Sequence, residues 1–191
     1  IDGMIRGIPM PAGMAVTIAG QNQEMAKSFK SLQFALLLAV FLVYLVMASQ
    51  FESFLHPFVI LFTIPLALIG AVWALFLTSS TISVVVFIGL ILLAGIVVNN
   101  AIVLIDLINQ LRDGGMKKRA AILEGGKSRL RPILMTTLTT TLGLLPLALG
   151  IGEGAEVRAP MAITVIGGLT VSTLLTLIVI PVVYDLFDRR G

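Results

Sequence analysis

From Val84 to Val98 the chain runs fifteen residues without a polar side chain, inside the longer stretch VVVFIGLILLAGIVVNNAIVLIDL that ends at Leu107. A helix in the core of a soluble domain keeps one polar face. This stretch has none over about four turns, so it predicts a membrane span. Two amides, Asn99 and Asn100, end the run, and a carboxylate, Asp106, follows after five apolar residues. Side chains seven apart lie about 20° apart around an ideal helix, which places Asn99 and Asp106 on one stripe. Gly95 precedes Asn99 by one turn on that stripe and leaves room for another backbone. Hydrocarbon offers no hydrogen bonds to amides, so the stripe is expected to face protein.

Composition supports the same class. Of the 191 residues, 58% are hydrophobic and 12% charged, and the mean hydropathy is +1.06. Soluble domains carry about 25% charged residues. A net charge of +3 is too small to suggest nucleic acid, and the basic residues sit beside apolar runs, as membrane topology requires. With no cysteine, disulfides, thiol catalysis and thiolate-held metals are excluded. No phosphate loop, metal-ligand spacing or nucleophile elbow is present, so neither an enzyme nor a metal site is expected.

Five spans are expected, over residues 32–48, 57–77, 82–108, 132–149 and 161–186, as an all-α membrane bundle over residues 32–188. Residues 1–31 form a short extracytoplasmic tail. Met14, Val16 and Ile18 alternate with small residues, a strand pattern. A helix begins near Asn22 and runs without a break into the first span. Pro65 should kink the second span, and residues 78–81 should form a tight turn. Between the third and fourth spans, glycine pairs at 114–115 and 125–126 frame a predicted surface helix, Met116 to Glu124. The only histidine, His56, falls in a predicted loop, residues 49–56.

An odd number of spans puts the two ends on opposite sides. The side holding the tail carries Arg6, Lys27, Lys30 and Arg158; the other carries the remaining nine of the 13 basic residues. The positive-inside rule then makes the C-terminus cytoplasmic. An external tail without a signal sequence needs an earlier span, and a lone strand needs a sheet; both predict an upstream portion.

The polar residues within spans are few. Asn99 and Asn100 either fix helix packing or form a polar station in an ion path. Thr136 and Thr140 lie one turn apart on the fourth span, and Gly143 continues their face. Threonines in spans commonly bond back to their own helix. Arg129 precedes Thr136 by seven residues and shares its face if the helix extends that far back. Gly168 and Ser172 form a small-xxx-small pattern in the fifth span, which predicts close helix packing.

The segments GIVVNNAIVLID (Gly95–Asp106) and SRLRPILMTTLTTTLGLLPLALG (Ser128–Gly150) resemble the resistance-nodulation-division superfamily of efflux transporters, and most closely its hydrophobe/amphiphile exporter branch. SQFESFLHPFVILFTIPLALIGA (Ser49–Ala71) and PMAITVIGGLTVSTLLTLIVIPVVY (Pro160–Tyr184) match in order and spacing. The resemblance implies that the five spans are the eighth to twelfth of a pseudo-symmetric twelve-span protein, and that residues 1–31 close its second porter region. It further implies a proton-driven antiporter in the bacterial inner membrane, a homotrimer able to work with a periplasmic adaptor and an outer-membrane channel. The proton gradient would be its energy source, with no cofactor and no nucleic acid. In the family's drug exporters an aspartate pair on the fourth span works with a lysine on the tenth. Asn99 stands at that lysine position, Asn100 matches the asparagine beside it, and Arg129 and Thr136 match the arginine and threonine of the eleventh span. Asn99 cannot neutralise an aspartate as lysine does, which leaves Arg129 as the candidate cation. The alternatives are a proton-coupled protein-export subunit of the same superfamily and a non-transporting membrane scaffold.

Overall fold

The computed structural model describes residues 21–52 and 54–187. The expected strand at Met14, Val16 and Ile18 and most of the expected tail lie outside those residues. Six helices follow in order: α1 (Gln21–Gln50), α2 (Leu55–Leu61), α3 (Thr63–Leu77), α4 (Val84–Asp113), α5 (Lys118–Ala148) and α6 (Ala155–Phe187). Among the described residues there is no strand. The all-α membrane architecture read from hydropathy is thus the one observed.

Among the described residues four stretches are long and apolar enough to cross a membrane: Glu24–Gln50, His56–Leu77, Val84–Asp113 and Ala155–Leu186. The expected fifth, residues 132–149, lies in α5 but does not reach the same apolarity. Five threonines and two prolines dilute it.

α1 is one unbroken helix from its polar start into the apolar run, as expected. The second span is broken at Phe62, three residues before Pro65. Proline lacks an N–H for the carbonyl four residues back, and its ring crowds that carbonyl, here that of Leu61. Thr63 Oγ1 donates to Ile60 O at 2.7 Å and occupies one carbonyl at the break. The 78–81 turn is tight: Ser80 N donates to Leu75 O at 3.0 Å, and Ser79 takes a left-handed φ of 51°.

Three expectations are corrected. The surface helix over Met116 to Glu124 does not end at Gly125-Gly126; α5 continues through both glycines and through Pro132. Gly125 is buried on α4, where a side chain would meet Ile108 Cγ1 at 2.8 Å. Contact with α4 therefore holds the helix where local propensity favours a break. Next, α6 begins at Ala155, six residues before the expected span, and takes Pro160 into its first turns. Finally, His56 is not in a loop. It lies in the first turn of α2, half-buried, with its ring stacked on Tyr184 at 5.8 Å and edge-on to Phe51 at 5.8 Å.

α6 is the hub of the bundle and packs on α3, α4 and α5. Small residues allow the closest approach, between α3 and α6. A side chain at Gly70 would lie 2.7 Å from Gly167 O, one at Gly167 would run into Ala74, and one at Gly168 would run into Leu93. α6 and α5 also share a hydroxyl pair, Thr137 Oγ1 and Thr173 Oγ1, 2.9 Å apart and buried. α1 stands apart: it touches only α2 and α4, and 6% of its apolar window is buried against 44% for α6.

Candidate functional site

Two sides of α4 meet different surroundings. Val97, Val98, Ala101, Leu104, Ile105 and Ile108 are buried in the bundle core. Gly95 and Asn99 are exposed, and Asn100 is half-buried between the two sides. Beside them runs an open groove of about 560 Å³ between α4 and α5. Ile91, Leu92, Gly95, Ile96, Asn99 and Asn100 line it from α4, and Thr136 and Thr140 from α5. Residues read separately from the sequence as amide pair and threonine face therefore share one surface. Neither Asn99 nor Asn100 bonds to another described residue. Thr136 Oγ1 is tied to its own helix, donating to Pro132 O at 2.7 Å and Ile133 O at 3.1 Å.

The continuity of α5 satisfies the condition set for Arg129. It lies two turns before Thr136 on the same helix, half-buried, and its Nε is buried with no hydrogen-bond partner among the described residues. A buried guanidinium N–H left without an acceptor is costly. Asp106, one stripe-repeat beyond Asn99, is half-buried and accepts from Gln110 Nε2 at 2.8 Å. It does not line the groove.

The groove supplies amide donors and acceptors, threonine hydroxyls and a nearby cation. Amides and hydroxyls are not titratable near neutral pH, so the groove lining can orient a carboxylate or a water chain brought into it but cannot itself carry protons. Among the described residues no cluster of His, Asp or Glu is placed to hold a metal ion.

The glycine expectations divide. Gly168 meets Leu93 and the Ala67 carbonyl closely, and Ser172, four residues on, is buried with Oγ donating to Leu169 O at 3.2 Å. Gly95 and Gly143 have nothing within 4 Å of where a side chain would begin. No described helix packs on either, because both fall on the open side of their helices.

The sequence reading overlooked two features. Gly70 was detectable, since Ala67, Gly70, Ala71 and Ala74 form a small-residue stripe at helical spacing. The other is a polar knot at the C-terminal ends of α4 and α6. Tyr184 is fully buried, donates to Asn109 Oδ1 at 2.6 Å and accepts from Arg112 Nη1 at 3.0 Å. Lys118 Nζ reaches Asp185 Oδ1 at 3.0 Å and donates to its carbonyl at 2.6 Å. These residues lie more than 60 positions apart in the chain, and no local pattern links them.

Known proteins share the sequence pattern and fold of this chain. The chain is 45% identical over 190 residues to the swarming motility protein SwrC of Bacillus subtilis, covering 99% of this chain and 18% of that protein. It is 46% identical over 181 residues to the multidrug resistance protein MdtC of Photorhabdus laumondii, covering 94% of this chain and 18% of that protein. Two crystal forms of a heavy metal efflux pump superpose with TM-scores of 0.82 and 0.76 at 33% identity, over 98% of this chain and 19% of the pump. The chain thus spans about a fifth of the length of these relatives. Residues 1–188 match the model of the AcrB/AcrD/AcrF family. The chain is a multi-pass membrane polypeptide that belongs to that family of resistance-nodulation-division efflux transporters, which are not enzymes.

Proposed function

We propose that the chain forms part of the membrane sector of a proton-driven antiporter that exports hydrophobic or amphiphilic compounds from the bacterial inner membrane. The observation carrying this reading is the single open groove shared by Asn99, Asn100, Thr136 and Thr140. It is a polar surface that no described helix covers, on an otherwise apolar bundle. By the family resemblance the surface faces an aspartate pair on a fourth span supplied by the rest of the transporter. Asn99 and Asn100 then donate amide hydrogen bonds to those carboxylates in either protonation state, and Thr136 shapes the path of water to them. Asn99 carries no charge, so Arg129 compensates the deprotonated pair, which also gives its buried Nε an acceptor. The two amides and Arg129 support the proton relay, and the aspartates carry the proton. The nine basic residues on one side support a cytoplasmic C-terminus. The working protein is a homotrimer open to a periplasmic adaptor and an outer-membrane channel.

The test is drug susceptibility of cells expressing the full-length transporter with Asn99→Leu or Arg129→Ala, with membrane levels of each variant measured. Both variants are expected to sensitise cells at unchanged protein levels, and to slow drug-coupled proton flux in proteoliposomes. Unchanged export by both would leave a scaffold role. Unchanged drug export with defective protein secretion would favour the export-subunit alternative.

A further inference from the structure

Around α3 the side chains sort by size. Ala67, Gly70, Ala71 and Ala74 form one stripe, and it is turned to α6. A side chain at Gly70 would meet Val171 Cβ at 2.6 Å, while Gly167 and Gly168 approach Ala74 and the Ala67 carbonyl. Half a turn away stand Ile69, Val72, Trp73 and Phe76, exposed by 49%, 61%, 60% and 77%. All four are bulky, and the indole N–H is the one polar side-chain group among them. Trp73 and Phe76 meet edge to face with ring centroids 6.5 Å apart. The indole N–H makes no hydrogen bond to a described residue. Trp73 stands five residues, about 7.5 Å along the axis, before Thr78, where the helix ends. Beyond it come the polar residues Ser79, Ser80 and Thr81. The whole of α3 lies within His56–Leu77, one of the stretches long and apolar enough to cross a membrane.

We infer that this outer face of α3 is covered by membrane lipid, with the Trp73 ring seated at headgroup level beside the 78–81 turn and Ile69 against acyl chains. Helices that meet protein inside a membrane do so through small residues, which let two backbones approach. The glycine and alanines of α3 all lie on the side turned to α6. Val72, Trp73 and Phe76 would hold a further helix at a distance. Water is the wrong partner for a row of large apolar side chains. The indole fixes the depth. Its body is apolar and its N–H polar, so at headgroup level the body stays in hydrocarbon while the N–H reaches water or a lipid oxygen. A seat at the bilayer centre would leave that N–H without an acceptor. The open side of α4 and α5 has the opposite chemistry, since Gly95, Asn99, Thr136 and Gly143 are small or polar, which suits a surface covered by polypeptide. The inference needs only that α3 spans a membrane, and it stands apart from the efflux reading.

The experiment uses the unmodified full-length transporter in phosphatidylcholine vesicles. A fraction of the phosphatidylcholine carries a photoreactive group, either beside the headgroup or at the end of an acyl chain, and labelled residues are mapped by mass spectrometry. Trp73 and Phe76 are expected to be labelled mainly by the headgroup-proximal probe, and Ile69 mainly by the chain-end probe. Failure of both probes to label α3, while other helices of the transporter are labelled, shows that polypeptide covers this face and overturns the proposal. Labelling of Trp73 mainly from the chain end places the ring at the bilayer centre and overturns it as well. The labelling needs no substitution and decides the proposal alone. A second measurement reads the indole itself, with the other tryptophans of the full-length protein replaced by phenylalanine. Trp73 emission is expected to be quenched more by phosphatidylcholine brominated near the headgroup than by phosphatidylcholine brominated at the chain end. Equal quenching by the two lipids, or none by either, counts against the seat proposed for Trp73.

Discussion

Among the described residues the side chains of the two asparagines make no hydrogen bond, a property shared with the buried hydroxyls of Thr141 and Thr176 but not with most of the span threonines. Thr136, Thr164 and Thr170 each return a hydrogen bond to their own helix, and Thr137 and Thr173 bond to each other across helices. Asn99 does neither, and it is exposed. Asn99→Leu is therefore expected to leave the stability of the bundle within about 0.5 kcal/mol, as for a surface change away from any packing feature. Any loss of export by that variant would then reflect function, and thermal unfolding in detergent beside the susceptibility assay checks this. Gly168 is the opposite case. A side chain there collides with Leu93 and stands 3.0 Å from the Ala67 carbonyl. Gly168→Val is expected to cost about 1–3 kcal/mol or more by overpacking, seen as a lowered unfolding temperature and reduced membrane levels.

At the scale of elements, α5 shows how contact overrides propensity. Two adjacent glycines and a proline at 132 sit inside a 31-residue helix. Gly125 is held against Ile108, whereas nothing lies within 4 Å of where a side chain would start at Gly126. The two glycines should respond oppositely. Gly126→Ala is expected to stabilise by about 0.5–1 kcal/mol, since alanine loses less backbone entropy in a helix. Gly125→Leu is expected to destabilise by pushing α5 off α4. Paired unfolding measurements on the two variants check the sign. The continuity of α5 also matters for the site, because it fixes Arg129 two turns from Thr136; a break at Pro132, which lies between them, would leave its direction undetermined.

Across the whole molecule, the helices are joined unequally. α6 contacts four neighbours, α2, α3, α4 and α5, while α1 touches the rest only through α2 and α4. The knot around Tyr184 ties α4 to α6 at one end and brings His56 of α2 against the same ring. Tyr184→Phe keeps the ring stacking and removes the hydroxyl, leaving Asn109 Oδ1 without its donor. It is expected to cost about 1 kcal/mol and to raise amide exchange at the C-terminal ends of α4 and α6, which hydrogen-exchange mass spectrometry can read. Were this end held by apolar packing alone, the variant would exchange like the parent.

What the amino-acid order determined by itself was everything that depends on neighbours along the chain. The run from Val84 to Val98 specifies a helix in lipid because no polar face exists for water. Pro65 breaks its span because it removes an N–H from that span, and Gly168 with Ser172 marks a packing face because small residues recur at helical spacing. The shared stripe of Gly95 and Asn99 follows from the same periodicity. The tertiary structure alone decided which side of each helix is covered. Gly95 and Gly143 have the composition of packing residues, yet no described helix reaches them. Gly125, which reads as a helix breaker, is buried and helical. His56 stacks on a tyrosine 128 positions away. Helical periodicity assigns a residue to a face, but the identity of whatever meets that face is a long-range property of the chain. The groove joining Asn99 to Thr136 exists only because α4 and α5 pack side by side, with a third side left open.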